Sequence, residues 1–88
     1  MADVRIAPEA QAQFAELPTA IKARVLSVFE RLTRWPAVSG PKPLQRSLAE
    51  QYRIRTGDYR VQFAVSRRIA AIVVTVVRIG HRDGFYEE

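Results

Sequence analysis

The feature that most restricts the fold is a stretch in which apolar and polar residues alternate along the chain. In Tyr52–Val65 the apolar positions hold tyrosine, isoleucine, valine and phenylalanine, and most positions between them hold arginine or another polar residue. Successive side chains of a strand point to opposite faces, so this period predicts two strands joined by a turn at Thr56–Asp58. One face of the hairpin is expected to be apolar. The other face is expected to carry Arg53, Arg55 and Arg60.

The segments before this hairpin predict one strand and two helices. Asp3–Ala7 alternates as a short strand, and the proline that follows it suits the first turn of a helix. Leu17 precedes a second proline, which biases it out of the helical region, so the first helix is expected to end there. A second, amphipathic helix is expected to begin at Pro18 or Thr19 and to continue to about Arg34.

The remaining segments predict an irregular crossing, a turn, a strand and a tail. Ser39–Pro43 contains one glycine and two prolines and is interpreted as a crossing with no element of its own. Ser66–Arg68 is interpreted as a polar turn. Ile69–Ile79 is too continuously apolar and β-branched for a solvent-facing edge, so it predicts a strand in the middle of the sheet. Gly80–Glu88 is expected to leave that strand as a short tail.

These elements predict one α+β domain that spans residues 1–88. The element order is β-α-α-β-β-β, with a helical hairpin packed on one face of a small, mainly antiparallel sheet. A chain of 88 residues has room for a single core. Because it has no cysteine and only one histidine, we expect no disulfide scaffold, no cysteine nucleophile, no metal site and no cofactor.

Neither a membrane span nor a secretion signal is predicted. The longest nearly apolar run is far shorter than the roughly 20 residues that a bilayer requires. The N-terminus lacks the long apolar segment of a signal peptide. A soluble cytoplasmic protein is therefore expected.

The positive charge is concentrated in the second half of the chain. The net charge is +5, and between Arg46 and Arg82 every cation is an arginine. A guanidinium group is a planar fork that matches phosphate and stacks on bases, whereas an ammonium is a point charge. This bias favours nucleic acid or another anionic partner, and the alternative is that the arginines only solubilise the exposed side of the sheet.

Two motifs are more specific than the alternation. The hairpin contains Gly-Asp-Tyr-Arg-Val at Gly57–Val61, and the last apolar strand is followed by Gly80–Arg82 and the aromatic pair Phe85-Tyr86. Together with the helical break at Leu17, these motifs resemble the RelE/ParE superfamily of bacterial type II toxins over essentially the whole chain.

The resemblance implies a toxin with one of two targets. RelE-like members are endoribonucleases that cut mRNA in the ribosomal A site, and ParE-like members poison DNA gyrase on the same fold. The retained basic residues and the terminal tyrosine favour the RelE-like branch. A gyrase inhibitor, or an inactive toxin-fold protein that only binds its antitoxin, is the alternative. The implied partners are a cognate antitoxin in a hetero-oligomer, the ribosome and mRNA.

The resemblance also implies roles for individual residues. Arg53 and Arg55 fall where RelE-like toxins carry two basic residues, often lysines, and are expected to bind RNA. Arg60 falls on the family's arginine after the turn tyrosine, Arg82 on the arginine after the last strand, and Tyr86 on the C-terminal aromatic residue. Arginine at both lysine-type positions is a departure that removes any lysine acid or base.

The expected chemistry is metal-independent cleavage of a phosphodiester. The 2′-hydroxyl must lose a proton, and charge must be stabilised on the phosphorane and on the leaving 5′-oxygen. Arginine cannot be the base, so the arginines are expected to bind phosphate and stabilise charge. Tyr86 is the preferred base because clustered guanidinium charge favours its phenolate. His81 is the second candidate or a structural residue, and Tyr86 has the alternative role of stacking on a base.

Overall fold

A sheet forms one layer and a helical hairpin forms the other in the computed structural model, which describes residues 2–38, 40–43, 50–67 and 69–81. The elements in chain order are β1 (Ala2–Ile6), α1 (Pro8–Ala15), α2 (Thr19–Leu32), β2 (Lys42–Pro43), β3 (Glu50–Thr56), β4 (Tyr59–Arg67) and β5 (Ile72–His81). The strands of this described part lie in the order β1-β5-β4-β3-β2. Among the strand pairs of the described residues, β1–β5 is parallel and the others are antiparallel. The predicted α+β class and mainly antiparallel sheet are confirmed.

The helices begin where the prolines predict. Pro8 lies in the first turn of α1, beside Glu9, whose carboxylate complements the positive end of the helix. α2 begins at Thr19, directly after Pro18. It ends at Leu32 rather than Arg34, because the next three residues donate their backbone N–H groups to carbonyls only three positions earlier and tighten the chain into a turn.

The helical layer covers one face of the sheet. α1 packs on β5, and α2 packs on β3 and β1. Phe14 and Phe29 join the two helices, with ring centroids 5.9 Å apart. Within the described residues, neither helix is long and apolar enough to cross a membrane.

An aromatic cluster lies at the centre of the core. Phe63 of β4 is fully buried and stacks on Tyr52 of β3, with ring centroids 5.6 Å apart. Trp35, in the turn after α2, packs at 4.7 Å from the Tyr52 ring and edge-on at 5.5 Å from the Phe63 ring. The cluster therefore ties the end of the helical layer to the middle of the sheet.

Ser39–Pro43 was predicted to have no element of its own, and this is wrong. Lys42 pairs with Arg53 and Pro43 pairs with Tyr52, which makes β2 a short antiparallel edge strand. A proline is tolerated at such an edge, where its missing N–H has no ladder partner to lose. The pairing depends on an exposed edge of β3 that is distant in sequence, so local composition does not reveal it.

The predicted boundaries around the last strand are also wrong. Ser66 and Arg67 continue β4, because they pair with Val73 and Ile72 across the ladder. β5 then begins at Ile72, and Ile69 is fully exposed. Gly80 and His81 remain in β5 rather than in the tail. Backbone pairing extends both strands past the point at which their side chains stop alternating.

We expect Phe63→Ala to lower the free energy of unfolding by about 3–5 kcal/mol, because it opens a cavity at the centre of the aromatic cluster. Ile69→Ala removes an apolar side chain that is already in water, so its effect should stay within about 0.5 kcal/mol. Urea unfolding of both variants measures the difference. An equal loss in the two variants would contradict the boundary of β5.

Candidate nucleic-acid interface

The sheet has an open face, which is the face directed away from the helices. On β4, the residues Val61, Phe63 and Val65 are buried toward the helical layer. Alternation therefore puts Arg60 and Gln62 on the open face. The same register assigns Arg53 and Arg55 of β3 to this face, since they pair with Gln62 and Arg60.

The open face carries two rows of residues across the strands. The first arginine row consists of Arg55, Arg60 and the backbone of Gly80. The second arginine row consists of Arg53, Gln62 and Arg78. Side chains that lie directly opposite across an antiparallel pair have Cβ atoms about 4.5–5.5 Å apart. The structure thus brings Arg53, Arg55 and Arg60 together on one face.

The first arginine row opposes like charges. Arg55 lies directly opposite Arg60, an arrangement that is destabilising in a sheet. Arg55 is exposed, whereas Arg60 is only 9 % exposed. Gly80, the other neighbour of Arg60 in this row, has no side chain and leaves room for the Arg60 guanidinium. Since arginine keeps its charge in proteins, Arg60 supplies a fixed positive charge that favours an anionic ligand.

Arg78 was not among the residues predicted for the site. Val74 and Val76 of β5 are buried toward the helices, and strict alternation would put Arg78 with them. The β4–β5 ladder shifts between Gln62 and Phe63: Gln62 pairs with Arg78, and Phe63 pairs with Val76. One extra residue, Val77, thus lies in β5, and such a bulge re-aims the side chains after it. The sequence signal was a charged residue, Arg78, inside an apolar run. Which face of the sheet Arg78 occupies depended on the bulge.

His81 lies on the other side of the sheet from the arginine rows. It follows Ile79, which is buried toward the helices, at the strand period. Its ring meets the half-buried Tyr59 ring edge-on, with centroids 5.2 Å apart. The structure therefore groups His81 with Tyr59 and not with Arg60. Arg82 and Tyr86, the other two residues predicted for the catalytic set, lie outside the described residues.

A helix side chain contacts β5 next to the bulge. The backbone N–H of Ile79, two residues after Val77, donates a hydrogen bond of 2.7 Å to Oε1 of Gln13 in α1. The carboxamide thus satisfies a partly buried donor next to the irregularity in the ladder. Gln13 connects the helical layer to the part of β5 that carries Arg78 and Gly80.

The hairpin turn is fixed by a glycine. Gly57 has a φ of 61°, in the left-handed region that favours glycine. A Cβ atom at this position would also lie 2.8 Å from Nη1 of Arg24 in α2. The two-residue turn sets the register of β3 against β4, and thereby the opposition of Arg55 and Arg60.

A cavity of about 660 Å³ opens at the far end of the same face. Asp3 and Arg5 of β1 lie beside Val73 and Thr75 of β5, which they pair with in parallel. The described residues that line it are Asp3, Arg5, Ser66, Ala71, Val73 and Thr75. Within the described ranges, no three histidine, cysteine, aspartate or glutamate side chains form a group that could hold a metal ion. Among the described residues, the charged side chains of the arginine rows are all guanidinium groups.

Comparison with known proteins agrees with this architecture. Residues 4–84 match the model of a family described as the ParE toxin of type II toxin-antitoxin system, parDE. Toxin RelG of Mycobacterium tuberculosis is 33 % identical over 84 residues, which is 94 % of this chain and 93 % of the relative. These matches place the chain among the toxins of type II toxin–antitoxin systems. It belongs to the RelE/ParE superfamily, as the sequence motifs predicted.

Two solved structures have the same fold. The crystal structure of the toxin–antitoxin complex RelBE2 from M. tuberculosis aligns with a TM-score of 0.76 at 30 % identity, over 92 % of this chain and 98 % of that chain. The archaeal RelE–RelB complex from Pyrococcus horikoshii aligns with a TM-score of 0.76 at 24 % identity, over 96 % of this chain and 98 % of that chain. The archaeal likeness concerns the fold alone.

We expect Gln13→Ala to lower the free energy of unfolding by about 1–3 kcal/mol, because the Ile79 N–H loses its acceptor in a partly buried place. Gln11→Ala is the matched control. Its side chain donates to the carbonyl of Ile6 at an exposed position, where water can replace it. Urea unfolding measures the two losses, and faster hydrogen exchange at the Ile79 amide should accompany only the first. Equal losses would mean that the Gln13 contact does not hold the bulge.

Proposed function

We propose that the chain is a ribosome-dependent endoribonuclease that acts in the cytoplasm on mRNA in the ribosomal A site. The observation that carries this proposal is the pair of arginine rows on the open face, with the buried Arg60 between the exposed Arg55 and Gly80. Several guanidinium groups on one surface suit a polyanion whose phosphates are read by bidentate hydrogen bonds.

The buried and the exposed arginines suit different roles in the proposed reaction. Arg60 is held by its surroundings, so its charge requires little reorganisation when negative charge develops on the phosphorane. Arg55 is exposed and Arg53 is half-buried, which suits them to bind and orient the phosphates beside the scissile bond. Arg82 is proposed to hydrogen-bond the leaving 5′-oxygen.

The reaction forms one bond and breaks one bond at phosphorus. The phenolate of Tyr86 is proposed to take the proton of the 2′-hydroxyl. The 2′-oxygen then attacks phosphorus, and the bond from phosphorus to the 5′-oxygen breaks. The products are a 2′,3′-cyclic phosphate and a 5′-hydroxyl, whose proton comes from water. His81 is the second candidate for the base, but its contact with Tyr59 favours a structural role.

The proposed activity depends on the ribosome. A site built from arginines and one tyrosine lacks a second acid–base group, so much of the acceleration must come from how the substrate is held. The ribosome positions the codon and bends its backbone. Cleavage of naked RNA is therefore expected to be weak, although its binding is not.

A cognate antitoxin is the proposed protein partner. The RelBE2 structure, which is 30 % identical, is that of a toxin–antitoxin complex. By analogy, we propose that an acidic or amphipathic segment of an antitoxin covers the arginine rows and forms a hetero-oligomer with this chain. Covering this face would neutralise its charge and block RNA at the same time.

DNA gyrase is the second candidate target. The family model that matches residues 4–84 carries the ParE name, and ParE-like toxins poison gyrase. A toxin-fold protein without activity is the third possibility, and harmless expression in the absence of antitoxin would identify it. Supercoiling and cleavage-complex assays separate the gyrase target from mRNA: gyrase poisoning with intact mRNA would overturn the nuclease proposal.

We expect Arg60→Ala to reduce A-site cleavage on programmed ribosomes by about 10²–10³-fold, since it removes a preorganised charge from the transition state. Arg34→Ala, which removes an exposed arginine after α2, is the charge-matched control and should cleave normally. Because Arg60 is buried, Arg55→Ala provides a second test at an exposed site, and circular dichroism checks the fold of all three. Full activity in both Arg60→Ala and Arg55→Ala would overturn the proposed site.

We expect Tyr86→Phe to abolish growth arrest when the toxin is expressed without antitoxin, because phenylalanine has no phenolate oxygen to accept the proton. The same variant should still bind RNA. If four arginines contact phosphates, the slope of log K against log salt for single-stranded RNA should be about −3 in both proteins. Growth arrest equal to that of the wild type would exclude Tyr86 as the base.

A further inference from the structure

The cavity at the β1 end of the open face has no role in the chemistry proposed above. It differs from the arginine rows because it combines charges of both signs with hydroxyl groups. Arg5 supplies a guanidinium, Asp3 supplies a carboxylate, and Ser66 and Thr75 supply hydroxyls. Asp3, Arg5 and Ser66 are exposed, so a ligand in solution can reach them.

The cavity lies on the same face of the sheet as the arginine rows. From Arg60 to Ala64 along β4 the rise is about 13 Å, and two strand spacings of about 4.8 Å lead from β4 across β5 to β1. Ala64 pairs with Thr75, and Thr75 pairs with Arg5. The backbone of Arg5 therefore lies about 16 Å from that of Arg60 on the same face. Gln62 and Arg78 lie between them.

The two charged groups of the cavity are not paired with each other or with other side chains within the described residues. No ion pair or hydrogen bond joins the side chains of Asp3 and Arg5 to each other or to another described residue. Two opposite charges that share a cavity without pairing can each bind a different part of one ligand. A nucleotide has such parts, since its phosphate is anionic and its base presents N–H donors.

We propose that this cavity is a nucleotide subsite for the RNA strand that occupies the arginine rows, which makes the inference rest on the proposed function. Arg5 binds the phosphate of a flanking nucleotide, and the hydroxyls of Ser66 and Thr75 donate to its sugar–phosphate backbone. Asp3 accepts a hydrogen bond from the exocyclic amino group of the base. Cytosine has such a group and uracil does not, so the subsite selects cytosine over uracil.

The carboxylate favours RNA over a protein partner in this cavity. An acidic antitoxin segment would be attracted by Arg5 but repelled by the neighbouring carboxylate of Asp3. A nucleotide interacts favourably with both residues, because its phosphate is an anion for Arg5 and its base is a hydrogen-bond donor for Asp3. The size of the cavity, about 660 Å³, is within the range of sites that hold a small organic ligand.

Arg5→Ala tests the phosphate contact. Fluorescence anisotropy with oligocytidylates of roughly 4 to 16 nucleotides should show no change for the shortest RNA, which occupies only the arginine rows. Binding of the longer RNAs should weaken about tenfold, and the slope of log K against log salt should become shallower by about 0.7. Arg34→Ala removes the same charge from the helical layer and should leave both measurements unchanged.

Asp3→Asn tests the selection of the base. The wild type should bind a long oligocytidylate about tenfold more tightly than an oligouridylate of equal length. Asparagine offers uracil a donor and removes a charge that repels phosphate. The variant should therefore bind oligouridylate more tightly and lose the preference. A merely structural role of Asp3 would weaken both RNAs alike.

The outcomes separate this inference from the proposed function. If Arg55→Ala weakens RNA binding and Arg5→Ala does not, the subsite is overturned and the nuclease proposal remains. If neither Arg55→Ala nor Arg5→Ala affects RNA binding, both are overturned. If Arg5→Ala weakens the antitoxin complex but not the binding of RNA, the cavity belongs to the protein partner and the subsite is overturned.

Discussion

One extra residue in β5 determines which side chains share the open face. The bulge at Val77 turns Arg78 to the face of Arg53 and Arg60, and it turns Ile79 back to the core. Without it, strict alternation would bury a guanidinium among valines and would direct His81 toward the arginines. Two residues after the bulge, the backbone N–H of Ile79 donates to Oε1 of Gln13. A helix side chain thus contacts β5 beside the irregularity on which the composition of the site depends.

The arginine rows lie on the opposite face of the sheet from the aromatic cluster of the core. Like charges directly opposite in a sheet are destabilising, whereas loss of a buried aromatic ring costs about 3–5 kcal/mol. Tyr52 and Phe63 pair directly behind the second arginine row, and Trp35 closes over them. The same two strands therefore carry aromatic packing on one face and the opposed Arg55 and Arg60 on the other.

Membership of the RelE/ParE superfamily narrows the function without deciding the target. The fold is shared by toxins that act on mRNA and toxins that act on gyrase, so the chemistry of the open face has to distinguish them. If the target is RNA, guanidinium groups at Arg53 and Arg55 suit bidentate phosphate recognition and offer no lysine acid or base. Such a face suits the proposed enzyme, whose RNA substrate is held in a reactive conformation by the ribosome. The proposed subsite beside β1 lies on the same face.

The local patterns of the sequence determined the hairpin, the starts of both helices and the α+β class. They also determined the grouping of Arg53, Arg55 and Arg60. The reason is that strand and helix periods relate residues that are close along the chain. Only the tertiary structure decided that Lys42–Pro43 forms an edge strand, that β4 extends to Arg67, and that Arg78 joins the arginines while His81 does not. Each of these outcomes depends on a backbone hydrogen bond or a ladder register supplied by a segment distant along the chain. The side-chain pattern of one segment does not reveal which distant segment will pair with it.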